Sequence, residues 1–164
     1  MVSDKFVNFI PIAVTESAAS TLTEDEIDVA TSFINRIALV IHKIDLHHDM
    51  VQDDPAAAAQ ETLTFALTTQ PMAAMPTIND DYVIWRYRFT ARGAATGGGG
   101  IFNVIGSPYT FPIPLIVAQQ KLYAYLQTTN SSNAGYCHGR IHVTYVRLTE
   151  NEWREAWETW APTG

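Results

Sequence analysis

The stretch Arg36 to His48, RIALVIHKIDLHH, does most to limit what this chain can become. Its even positions Ala38, Val40, His42, Ile44 and Leu46 share one face of a β-strand. The other face carries Ile37, Leu39 and Ile41, then Lys43, Asp45 and His47. The first half is therefore apolar on both sides, and the second half is polar on one. A strand of this kind needs double cover at its start, from the core and from a neighbouring element or subunit, and it ends at a rim.

The rest of the chain supplies more strands for it to pair with. Ile27, Val29, Thr31 and Phe33 alternate and read as a strand, although Thr23 and Glu26 have the spacing of a helix start. Leu63, Phe65 and Leu67 oppose Thr62, Thr64, Ala66 and Thr68. Tyr82 to Thr90 sets Val83, Trp85, Tyr87 and Phe89 against Arg86 and Arg88. Ile101 to Ile105 is short, and Tyr109 to Val117 carries Pro112 and Pro114, which remove ladder donors and mark an edge or irregular strand. Leu122, Ala124 and Leu126 oppose Tyr123, Tyr125 and Gln127. In the last strand Ile141, Val143 and Tyr145 oppose His138, Arg140, His142 and Thr144.

Between these lie loops punctuated by Asp53-Asp54-Pro55, by Pro71 and Pro76, and by the four glycines Gly97 to Gly100. One helix is expected, over 149–160. Thr149 and Glu152 form a capping box, and Trp153, Ala156, Trp157 and Trp160 make a single aromatic stripe that must be buried. About eight strands without intervening helices indicate an all-β sandwich or barrel. Residues 1–20 read as an amino-terminal arm or edge segment, with Phe6 and Phe9 apolar and Pro11 unsuited to a central strand. Residues 21–164 read as one domain.

Charge and composition exclude several functions. The formal net charge is -7, with no basic run, which argues against direct gripping of nucleic-acid phosphates. The single cysteine, Cys137, rules out a disulfide framework within the chain. No stretch approaches the roughly 20 apolar residues of a spanning helix, and no signal peptide is expected.

No catalytic or metal constellation stands out. His47 and His48 are neighbours on a strand and point to opposite faces, while His138 and His142 lie about 13 Å apart by strand rise. These histidines read as a polar rim. The acid groups Asp53-Asp54, Asp80-Asp81 and Glu24-Asp25-Glu26 read as solvated turns. Cys137 beside His138 diverges from it, and the glycine run lacks the ending of a phosphate loop. No enzyme and no cofactor is expected.

The apolar surface points to assembly instead. Phe6 and Phe9, Ile37, Leu39 and Ile41, Phe111 and Ile113, and Trp153, Trp157 and Trp160 all call for cover, and subunit interfaces are the plainest source of it.

The segments IALVIHKIDL, YVIWRYRF and FPIPLIVAQQKLYAYLQTTNSSNAGYCHGRIHVTYVRLTENEW, in that order, resemble the single jelly-roll major capsid proteins of tailless icosahedral viruses of bacteria, archaea and their uncultivated relatives. The resemblance implies an eight-stranded jelly-roll β-sandwich with a short C-terminal helix. It implies a virion shell subunit, made in a host cytoplasm, whose copies pack as pentamers, trimers or pseudo-hexamers, with other capsid proteins as possible partners. The segment Val2 to Val14 would match the arm that locks neighbours in that family. The basic arm of many RNA-virus coats is missing, which argues against direct genome neutralisation. The alternative is a carbohydrate- or ligand-binding sandwich module, with Trp85, Tyr109, Tyr123 and Tyr125 as stacking groups.

Ile37→Asp or Leu39→Asp is expected to impair folding or assembly, read by the amount of soluble particle. The pair His47→Ala with His48→Ala is expected to leave the particle intact.

Overall fold

The computed structural model describes residues 8–51, 60–92, 101–104, 108–131 and 133–160. Phe6, the Asp53-Asp54-Pro55 loop, Gly97 to Gly100 and Ile105 lie outside the described residues.

The strands are β1 (Asn8–Thr15), β2 (Thr23–Asp28), β3 (Ile37–Val51), β4 (Gln60–Thr68), β5 (Val83–Arg92), β6 (Ile101–Val104), β7 (Tyr109–Val117), β8 (Lys121–Thr129) and β9 (Tyr136–Arg147), followed by the helix α1 (Glu150–Trp160). One sheet runs β1-β9-β3-β6, with β7 also on β3, and the other runs β2-β8-β4-β5. All pairings are antiparallel. β6 pairs with the end of β3 and β7 with its start, so the two share one lane beside β3. Early strands lie beside late ones, β1 against β9 and β2 against β8. This folding back of the chain on itself is the jelly-roll arrangement, and the fold is an all-β sandwich with one short C-terminal helix.

The core fills the space between the sheets. β1 contributes Ile12 and Val14, β4 contributes Leu63, Phe65 and Leu67, β8 contributes Leu122 and Leu126, and β9 contributes Ile141 and Val143. Simple alternation sets these positions, and on β4, β8 and β9 these inward residues are among those the sequence pattern picks out.

β3 departs from simple alternation. Its register on β9 shifts between Ile41 and Lys43, so His42 is the extra residue of a β-bulge. Leu39 and Ile41 point inward before the bulge, and Ile44, Leu46 and His48 point inward after it. The face assignment of the second half of the strand is thereby corrected. Ile44 and Leu46 belong to the core face with Leu39 and Ile41, not to the face of Ala38 and Val40. β7 is irregular at the same place. Phe111, Pro112, Ile113 and Pro114 lie between the β7 partners of Ile41 and Lys43, where two prolines cannot donate to a ladder.

The bulge also revises the rim histidines. His48 is buried, against Phe89 at 4.7 Å and Tyr87 at 5.4 Å between ring centroids, while His47 stays outside. Replacing His48 therefore removes a packed ring, and tolerance is expected of His47→Ala alone.

The strand expected over Ile27 to Phe33 is also shorter and earlier. β2 ends at Asp28, and Ser32 and Ile37 close a tight turn through a pair of 2.9 Å backbone hydrogen bonds. Arg36 takes a φ of 53° there, and Phe33 and Ile34 stand on the tip.

The double cover at the start of β3 comes from within the chain. Ala38 packs with Ala118, Leu148 and Trp153, so α1 lies over the outer side of that strand. The helix begins as its capping box dictates. The Glu152 carboxylate accepts hydrogen bonds from the Thr149 hydroxyl at 2.7 Å and the Thr149 N–H at 2.8 Å. It ends on glutamines: Gln119 donates to the Trp157 carbonyl at 3.3 Å, and Gln70 to the Trp160 carbonyl at 3.1 Å. The Trp160 indole donates to the Ile116 carbonyl at 2.8 Å, which fixes α1 on β7.

A buried carboxylate ties β1 to the β8–β9 connection. Glu16 accepts from the Thr128 N–H at 2.6 Å, the Thr128 hydroxyl at 2.7 Å and the Gly135 N–H at 2.6 Å. Three donors offset the cost of enclosing this group. Gly139 marks the tightest strand contact, since a Cβ there would lie 2.0 Å from the Asp45 carbonyl oxygen.

Gly139→Ala is therefore expected to cost about 3 kcal/mol or more, seen as a lower urea midpoint. The hydrogen bonds from Thr149 hold the Glu152 pKa below its ordinary 4.5. A depressed carboxylate adds stability that is full above the ordinary value and is lost as pH falls through the folded-state value. The melting-temperature gap between the parent chain and Glu152→Ala should be present at pH 7 and shrink in acid, as followed by circular dichroism.

Candidate interaction surface

The ten residues expected at interfaces divide by burial. Phe6 lies outside the described residues. Leu39 and Ile41 are 0 % exposed and belong to the core, and Phe111, Trp153 and Trp160 are buried as well. Ile37 is half-buried and lines a cleft of about 360 Å³ with Asn35, Tyr145, Val146 and Arg147. Phe9, Ile113 and Trp157 are exposed.

Exposed side chains not singled out by alternation join them. Ile34 is 89 % exposed, Phe33 65 % and Ile116 41 %. Phe33 meets Trp153 and Trp157 edge to face, at 6.2 and 6.4 Å between ring centroids. Phe33 and Trp157 thus adjoin, with Ile34 next to Phe33 in the turn, and Ile116 and the 78 % exposed Ile113 stand on β7. A second cleft, of about 270 Å³, is lined by Ile116, Leu148, Glu152, Glu155, Ala156 and Thr159. Isolated exposed apolar groups are ordinary, whereas large apolar patches mark interaction sites. Phe33 escaped as a surface residue because its alternation with Ile27, Val29 and Thr31 suggested a strand, and Ile34 was not singled out. The Asn35-Arg36 pair after them was the available turn signal.

The outer face of the β1-β9-β3 sheet is polar and ordered. Asp45 meets the Lys43 ammonium at 2.7 Å and the His142 imidazole at 2.6 Å. Burial raises the Asp45 pKa, but the hydrogen bonds from Lys43 and His142 outweigh it and the net shift is downward. Phe9 packs edge to face on His142 at 4.8 Å, and the Arg140 guanidinium sits 5.4 Å from the Phe9 ring centre. His47 and His138 are register partners with stacked rings 5.4 Å apart.

The other constellations have structural partners. Asp80 accepts from Thr77 within a turn, Glu26 pairs with Lys121, and Glu24 accepts from the Tyr125 hydroxyl. Burial, with that hydrogen bond, pushes the Tyr125 pKa up. Cys137 is buried while His138 faces out, so they do not meet as nucleophile and base. Among the described residues no three His, Cys, Asp or Glu side chains gather in a way that could hold a metal. Among the described residues no helix is long and apolar enough to cross a membrane.

The aromatic groups of a sugar-binding module do not gather on one surface. Trp85 and Tyr109 lie 6.0 Å apart, and Trp85 packs against the core. Tyr123 and Tyr125 lie on β8, two strands from β5 in the same sheet, and alternate with Ala124, which shares the row of Leu67 and Trp85, so they stand on the opposite face, where Tyr125 is fully buried.

No protein-family model matches the chain, and no curated protein matches it in sequence. Solved structures do match in fold. VP1 of the Trichodysplasia spinulosa-associated polyomavirus, solved in complex with GM1 oligosaccharide, matches at a TM-score of 0.51 and 8% identity, over 90% of this chain and 98% of that one. The same VP1 with sialylated precision glycooligomers gives a TM-score of 0.46 at 8% identity, over 88% of this chain and 96% of that one. A Desmodium yellow mottle tymovirus structure gives 0.31 at 9% identity, over 88% and 90%. These neighbours come from viruses. At such identity the likeness is one of fold: the chain has the jelly-roll sandwich that polyomavirus VP1 also has.

Proposed function

We propose that this chain is a structural, self-assembling protein, the subunit of an icosahedral viral shell. The observation that carries the reading is the exposure, among the described residues, of Phe33, Ile34, Ile116 and Trp157, with Phe33 set against Trp157 on α1. The jelly-roll topology and its likeness to VP1 support it.

In this reading the apolar group is an interface between copies, which pack as pentamers, trimers or pseudo-hexamers in a virion. Phe9 and Ile113 offer further contacts, and Val2 to Val14 is the segment that matches the locking arm. Leu39, Ile41, Phe111, Trp153 and Trp160 support these contacts from beneath, holding in place the surfaces that touch. The net charge of -7 leaves genome neutralisation to another component of the particle.

The test is the size of the purified protein. Light scattering and negative-stain imaging are expected to find species many times larger than the 18.2 kDa chain. A monomer at every concentration would overturn the reading. Ile34→Asp with Phe33→Asp places two charges where cover is expected. These exposed positions should leave the fold unchanged by circular dichroism and weaken assembly by at least about tenfold, or about 1.4 kcal/mol. Assembly at parental strength would remove this face from the interface.

A further inference from the structure

We infer that His47 and His138 form a binding site for one divalent transition-metal cation of the imidazole-seeking kind. The site rests on the pairing of β3 with β9 and is independent of the shell reading.

His47 and His138 stand directly opposite each other. Opposed residues of an antiparallel pair have Cβ atoms about 4.5–5.5 Å apart. That span lets two imidazoles turn a nitrogen toward a single ion, with metal–nitrogen bonds of about 2.0 Å. The rings already lie side by side, 5.4 Å between centroids and 17° from parallel, and both residues are exposed. Tyr136 stacks on His138 at 5.2 Å and supports its ring.

The backbone beneath is held by sheet pairing. β9 is flanked by β1 and β3, with Ala13 and His47 the two partners of His138. The register fixes the two histidines opposite each other, so a shared ion is reached by turning side chains on a set backbone.

The surrounding charges tolerate a cation. Lys43 and His142 are engaged by Asp45, and Arg140 leans over Phe9. The β1 residues beside this part of β9, Ala13 and Thr15, carry no charge. Two imidazoles select Cu2+, Ni2+ and Zn2+ over the oxygen-seeking Mg2+ and Ca2+. Two protein donors leave the remaining coordination positions to water.

Sequence spacing hid the pair, because the two residues are far apart in the chain and only the strand register joins them. Protons compete with a metal for imidazole nitrogens, so binding should weaken as pH falls.

The experiment is calorimetric titration of untagged protein with CuCl2, NiCl2 and ZnCl2, with MgCl2 as control. One saturating event per chain is expected at pH 7.5, tightest for Cu2+ and weaker at pH 5.5. His47→Ala and His138→Ala should each lower affinity by about tenfold or more, and His42→Ala should not. The electron paramagnetic resonance spectrum of the Cu2+ complex should show two equivalent nitrogens. No saturable binding, binding that survives both single changes, or a spectrum without two nitrogens would overturn the inference. Should an alanine variant fail to fold, His47→Gln and His138→Gln replace it, and the nitrogen count on the parent chain still decides.

Discussion

The pairing of β3 with β9 is the constraint on which the rest depends. It runs from Ile37 opposite Arg147 to Asp49 opposite Tyr136. β1 adds to its far side and β6 and β7 to its near side, so the whole first sheet is assembled on it. The second sheet is reached through chain crossings that return to this pair. Without it β1 and β9 would be separated from β6 and β7, and the first sheet would fall into two pieces. The pairing joins residues about a hundred positions apart, which makes the loop-closure cost high and delays its reward until distant segments meet.

The fold was legible where period-two alternation ran unbroken. The β4, β8 and β9 patterns named their inward residues, and Thr149 with Glu152 announced the start of α1. The pattern failed where backbone irregularity intervened. A bulge adds one residue without changing composition, so nothing in IALVIHKIDL marks it; it depends on how β9 and β7 meet β3. The same limit applied to Phe33. Its alternation with Ile27, Val29 and Thr31 was real, but Ile37 bonds back to Ser32 and the chain turns before a strand can continue.

The surface was less legible than the core. Apolar residues announce that they need cover, but not whether the cover lies in the same chain. Leu39 and Ile41 find it between the sheets, and Trp153 finds it against Ala38 and Leu148. Trp157, one turn on from Trp153, is exposed, with the Phe33 edge beside it. A stripe at helical spacing thus serves two purposes. Its ends anchor α1 to the sandwich, and its middle is shown to the outside.

The bulge at His42 acts as a parity switch along β3. Upstream of it odd-numbered residues face the core, and downstream even-numbered residues do. The bulge therefore decides which of the two adjacent histidines, His47 or His48, is the one turned inward. A chain lacking His42 would have to choose. Keeping Leu39 and Ile41 inside would turn Ile44 and Leu46 to water; keeping Ile44 and Leu46 inside would expose the other pair. The added residue lets one long strand be apolar on its core side throughout and still carry both an aromatic-packed imidazole inside and a stacked one outside.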